Sequence, residues 1–171
     1  MSETLNKLNK ISWFVSILAK VCMVLLAIGI VALTAMAVVV SLSDALLAEI
    51  SDFVGRTIVS GQVLGVFIAA ILAAALGIVT LYYIDRFFSN IHKSNTPFSD
   101  ESVRYMEIIA VLLLISTIAI PAISALLAYA FDSEVFMQFN LIPLFAAFIV
   151  YFMSLVFRYG ASLQKESDET L

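Results

Sequence analysis

Charge is scarce in this chain. Charged residues fill 13% of its 171 positions, about half the share of an ordinary soluble domain. Nine Lys and Arg stand against thirteen Asp and Glu, for a net charge of -4. No basic stripe is present to follow a phosphate backbone, so direct nucleic-acid binding is not expected. The single cysteine, Cys22, excludes an intrachain disulfide and a thiol relay. Within an apolar segment it reads as a small packing residue. A single histidine, His92 in a polar connection, falls short of the ligand sets that hold transition metals, so neither a metal nor a cofactor is expected. The sequence also offers no phosphate-cradling glycine loop, no nucleophile–base pair and no facing acids. An enzyme is not expected.

Apolar residues are what the chain has in quantity. They make up 63% of it, the mean hydropathy is +1.07, and several runs reach the ~20 residues that cross a bilayer. Four spans are predicted, at about 21–42, 62–84, 108–131 and 141–157. The expected fold is an all-α integral membrane domain over residues 1–171, an up-down-up-down bundle of four transmembrane helices. Leu5, Leu8, Ile11, Val15, Leu18 and Cys22 recur at three- and four-residue steps and extend the first helix backwards. The "AMA" at 35–37 resembles a signal cleavage site, but the apolar run before it is too long for a signal peptide. In "SDALLAEISDFVGRTIVSG", Leu46, Leu47, Ile50, Val54 and Ile58 predict a short amphipathic helix on the membrane surface.

Orientation follows from Lys and Arg. Lys7, Lys10, Lys20, Arg86, Lys93, Arg104, Arg158 and Lys165 fall on one side and only Arg56 on the other. The richer side is expected to be cytoplasmic, which puts residues 1–20, 85–107 and 158–171 inside and both termini with them. The outer side is acidic, with Asp44, Glu49, Asp52, Asp132 and Glu134. The predicted location is a bacterial inner membrane.

No span carries a charge at its centre; Lys20, Asp85, Glu107 and Arg158 all sit at cytoplasmic ends. Proton-coupled transport usually relies on an intramembrane acid, so its absence weighs against that function. A path lined by the hydroxyls of Thr80, Ser116, Thr117 and Ser154 is the remaining route for a small apolar or lipid-like solute. Gly61, Gly65, Ala69, Ala73 and Gly77 step by four along the second span. Such ladders let a second backbone come close, either inside the chain or in a homo-oligomer. Pro121 predicts a kink in the third span, with Ser116, Thr117 and Ser124 available to satisfy the freed carbonyl. Asn140 and Pro143 mark the start of the fourth helix. Trp13, Tyr82, Tyr83, Tyr105 and Tyr159 on one side, and Tyr129 and Phe131 on the other, are expected interfacial anchors.

Two polar pieces stand out. In "TPFSDESV", Ser99 is a natural N-cap, Asp100 and Glu101 suit the positive end of the helix, and Phe98 and Val103 are placed for a hydrophobic staple, with Pro97 fixing the approach. The chain ends in "FRYGASLQKESDETL", where Val156, Gly160 and Leu163 continue one helix face past the bilayer. The approach "DRFFSNIHKSNTP" with its "FS" turn and "DESV", together with this ending, resembles domain-of-unknown-function family 2975, over nearly the whole chain. The resemblance implies a small four-helix inner-membrane protein, often encoded beside a small helix-turn-helix regulator, with no known catalytic residues. Usual members have a glycine before the Pro-Phe turn and a leucine after the tail aspartate, where this chain has Asn95 or Thr96 and Glu169. The expected role is an accessory protein, seated in the lipid bilayer, that engages a cytosolic regulator. Phe98, Ser99, Asp100, Glu101, Gly160, Leu163, Gln164, Asp168 and Thr170 are the candidate docking residues.

Overall fold

The computed structural model describes residues 2–55, 57, 59–94, 96, 98–131 and 140–169. All regular structure in them is helical: α1 (Ser2–Leu42), α2 (Asp44–Val54), α3 (Ser60–Ser94), α4 (Asp100–Ala130) and α5 (Ile142–Glu169). The expectations that rest on Arg56, Ile58, Asn95, Pro97, Asp132, Glu134 and Thr170 lie outside the described residues. Four of the helices are long and apolar enough to cross a membrane. A bilayer interior offers the backbone no hydrogen-bonding partner, so helices that satisfy themselves are what these sequences can form there.

The helices are longer than the spans they contain. α1 has 41 residues, about 60 Å at ~1.5 Å per residue, against a hydrocarbon core of ~30 Å. α3 has 35 residues, α4 31 and α5 28. The connection predicted over 85–107 is therefore helix over 85–94 and again over 100–107. His92 accordingly belongs to the last turn of α3 rather than to a loop. The tail beyond 157 is helical as far as Glu169, further than the turn or two expected from its pattern.

Contacts at both ends fix the directions. Ser16 of α1 meets Asp85 of α3, while Gly77 of α3 lies under Leu26 of α1. Gly61 and Gly65, early in α3, lie against Phe131 and Leu127 at the end of α4. Arg158, late in α5, pairs with Glu107, early in α4. Successive long helices are thus antiparallel, and the main interfaces run in chain order, α1 on α3, α3 on α4 and α4 on α5. The start of α1, the end of α5 and the meeting of α3 with α4 gather at one end of the described residues.

The densest core lies at that end. Phe87, Ile91, Met106 and Ile109 form it, with Leu8, Tyr83, Tyr105, Val150 and Phe157 packed around them. Tyr83 and Tyr105 are partly buried and pack against this cluster, so they contribute to the core at this end as well as facing its polar surface. Trp13, Tyr82, Tyr129 and Tyr159 remain exposed, as anchors should be. Among the described residues the most deeply buried side chains are serines, Ser12, Ser102 and Ser154. Small polar residues of this kind allow close approach between membrane helices.

The glycine ladder packs inside the chain. A Cβ at Gly61 would come within 2.7 Å of the Phe131 ring, and one at Gly65 within 3.1 Å of it. Phe131 is therefore a packing residue, which corrects its assignment as an anchor. Four-residue steps drift slowly around a helix, and by Gly77 the ladder has turned from α4 towards Leu26 of α1, 3.4 Å from a Cβ there. Ala69 and Ala73, between them, are half-buried. Pro121 faces inward and α4 remains one helix through it. Ser116 and Thr117 both donate to the carbonyl of Leu113, at 2.8 and 2.9 Å, and not to the Thr117 carbonyl that the proline frees.

α2 is capped at both ends. The Ser43 hydroxyl accepts from the Leu46 N–H, and Gly55 closes the helix at φ 74°, donating to the Ser51 carbonyl. Positive φ suits glycine, which has no Cβ to clash. α2 ends there, short of the predicted stretch to Ile58.

Candidate functional site

The α3–α4 turn is held by side chains. Ser99 is extended (φ -110°, ψ 148°) and its hydroxyl accepts from the Ser102 N–H, as an N-cap should. Asn90, about one turn before the end of α3, donates to Ser99 Oγ at 2.8 Å and to Ser102 Oγ at 3.0 Å. Ser99 Oγ in turn donates to Ser102 Oγ at 2.9 Å. Ser102 is fully buried, so its hydroxyl depends on these partners. Thr96 Oγ1 accepts from the Phe98 N–H at 3.2 Å. The turn is thus clasped by polar side chains: Asn90, Ser99 and Ser102 bond one another, and Thr96 bonds the backbone at Phe98.

Phe98 leaves the clasp towards α5. Its ring lies on Gly160, so closely that a Cβ there would be 2.6 Å from it, and meets Phe157 edge-on at 5.4 Å. Phe157 stacks in turn on Phe87 at 6.4 Å. Phe98 therefore joins the turn to α5 and to the core, a longer reach than a staple within α4. Thr96 Oγ1 donates to Gln164 Oε1 at 3.4 Å, a second and weaker link.

The four charges at the span ends form two cross-helix pairs. Asp85 is buried, accepts from the Ser16 hydroxyl and lies 3.4 Å from Lys20 Nζ. Glu107 and Arg158 pair across the α4–α5 seam. Each carboxylate thus has a cation on a neighbouring helix at its own depth, where an unpaired one would be costly.

A groove of about 500 Å³ runs between the turn and α5, lined by Phe98, Ser99, Asp100, Arg158, Ala161, Ser162, Gln164 and Lys165. Of the predicted docking residues, Phe98, Ser99, Asp100 and Gln164 line it, and Gly160 forms the seat beneath Phe98. Glu101 faces a separate pocket of about 300 Å³ with Tyr83, Arg104, Tyr105 and Ile108. Leu163 is exposed on α5. Asp168 is placed only by its backbone, in the last turn of α5. The sequence reading missed Asn90, Ser102 and the Glu107–Arg158 pair. The spacing from Asn90 to Ser102 carries no periodic signal; they meet only because the turn folds α4 back on α3.

Two motifs far apart in sequence thus build one surface, and they are the two that carried the family resemblance. Residues 55–171 match the family described as "Protein of unknown function (DUF2975)". The chain belongs to this family. No curated protein and no solved structure matches it. The DUF2975 match is narrower than the near-full-length resemblance: it opens at Gly55, where α2 ends, and takes in α3, α4 and α5. The clasp, the Phe98 seat and the groove all lie inside it.

Proposed function

We propose that this DUF2975 protein is a non-enzymatic accessory protein of the bacterial inner membrane, with both termini in the cytosol, and that its terminus-bearing end docks a cytosolic protein, such as a small helix-turn-helix regulator. The observation that carries this reading is the convergence of the turn and the tail on one groove, which holds Asp100 beside Arg158 and Lys165 around the Phe98 ring. A rim of both charge signs around an aromatic suits a polypeptide segment, since such surfaces orient a partner by charge and hold it by an apolar anchor. Eight of the nine Lys and Arg belong to this end by position, which favours a cytosolic placement.

The test compares full-length protein with a variant lacking 162–171 and with Gly160→Val, each purified from native membranes in mild detergent. A discrete partner that stays with the full-length protein and is lost from both variants supports docking. Equal recovery with all three refutes it. A transport path draws no support from the hydroxyls proposed to line it: Thr80, Ser116, Thr117 and Ser154 each donate to a carbonyl of their own helix.

A further inference from the structure

A second concavity lies on the α4–α5 seam, deeper in the predicted spans than the groove. It holds about 260 Å³ and is lined by Ala110, Val111, Leu114, Ala147, Phe148 and Tyr151. Ala110 and Ala147 are 5% and 6% exposed and form its floor; Val111, Leu114, Phe148 and Tyr151 are 41–63% exposed and form its walls. Two small residues face each other where larger ones would have filled the seam. A water molecule needs several polar partners to stay in such a place, and this lining offers almost none. Within the span the surrounding medium is hydrocarbon, so an acyl chain is the molecule that fits.

The seam continues to a headgroup site. Glu107, Val111 and Leu114 follow one another at helix-face steps on α4, as do Phe148, Tyr151, Leu155 and Arg158 on α5. Moving from the trough towards the terminus-bearing end, Glu107 comes about 6 Å beyond Val111 and Arg158 about 10 Å beyond Tyr151, at ~1.5 Å per residue. These two are the ion pair across the seam, with side chains 32% and 60% exposed. An apolar trough therefore leads straight to an outward-facing pair of opposite charges.

We propose that the α4–α5 seam binds one zwitterionic phospholipid with a primary-amine headgroup, its acyl chain in the Ala110–Ala147 trough and its headgroup on the Glu107–Arg158 pair. The guanidinium takes the phosphate by charge-assisted hydrogen bonds, and the carboxylate takes the ammonium in the same way. A purely anionic headgroup would set its charge against Glu107 without a cation to offer it. A choline headgroup brings a cation with no N–H to donate. Phosphatidylethanolamine meets both requirements. The site shares Arg158 with the groove of the docking reading but does not rest on that reading, and retained lipid is read separately from a bound protein.

The experiment reconstitutes the full chain in nanodiscs of phosphatidylethanolamine, phosphatidylcholine and phosphatidylglycerol in equal parts, extracts it into mild detergent, and counts retained lipids by native mass spectrometry. One retained phosphatidylethanolamine is expected, about tenfold over either competitor, as for one charged hydrogen bond gained. Ala147→Phe, or Leu114→Trp where the first variant does not fold, fills the trough and should abolish retention of all three. Removing both charges together (Glu107→Gln with Arg158→Gln) should leave retention but erase the preference. Equal retention of the three lipids by the wild-type chain overturns the proposal, as does retention unchanged by filling the trough.

Discussion

Gly160 has room for little more than a hydrogen. The Phe98 ring occupies the space a side chain would take, so Gly160→Val must push the ring off α5. The ring is already 40% exposed and can swing outward; the cost is then its remaining burial, about 1–2 kcal/mol. Thermal unfolding in detergent should show that loss, and Phe98→Ala should show a similar one. The double variant should be no worse than Phe98→Ala alone, because the clash disappears with the ring. Additive losses would mean that Gly160 matters for another reason. Asn90 is the second residue of this kind. Asn90→Leu strips two hydrogen bonds and leaves the buried Ser102 hydroxyl with fewer partners, for an expected loss of about 1–2 kcal/mol. Limited proteolysis should then cut the α3–α4 turn faster than in the wild type.

At the scale of the helices, periodicity made much of the fold legible and contact made the rest. Four spans, the backward extension of α1, the cap at Ser99 and the helix after Asn140 all follow from local pattern, and Asn140 does accept from the Ile142 N–H at 3.0 Å. Local pattern could not give the ladder's partner. Gly61, Gly65 and Gly77 suit any close backbone, and only the fold supplies Phe131 and Leu26. Gly65→Leu should therefore destabilise the folded monomer, and Phe131→Ala should restore part of the loss. Denaturant titration in micelles measures the stability, and crosslinking of the same samples reads the oligomeric state. A variant as stable as the wild type that has merely lost an oligomer would contradict this assignment. The same limit hid the site: Phe98 and Gly160 each look like local features, a staple and a helix-face glycine, until α5 returns alongside the turn.

The described residues have two unlike ends. One gathers the start of α1, the end of α5, the meeting of α3 with α4, the aromatic core and the groove; the other carries α2, the end of α4 and the start of α5. The long helices come in two antiparallel pairs, so the termini share a side whichever way the protein is inserted. The proposal that this side is cytosolic rests on positive-inside reasoning. In a Cys22→Ser background, a cysteine at Ser162 should be shielded from an impermeant thiol reagent in intact cells, and one at Phe53, which is 92% exposed on α2, should be labelled. The reverse pattern would invert the topology and remove the cytosolic groove with it.

The central claim is that the joined turn and tail form a docking surface for a protein. The most direct measurement is photo-crosslinking in living cells, with the photoreactive residue at Gln164 in the groove and a control at Tyr129 near the far end. The account predicts a discrete protein adduct from Gln164 that disappears with Gly160→Val, and none from Tyr129. No adduct at Gln164, or the same adduct from both positions, would contradict it.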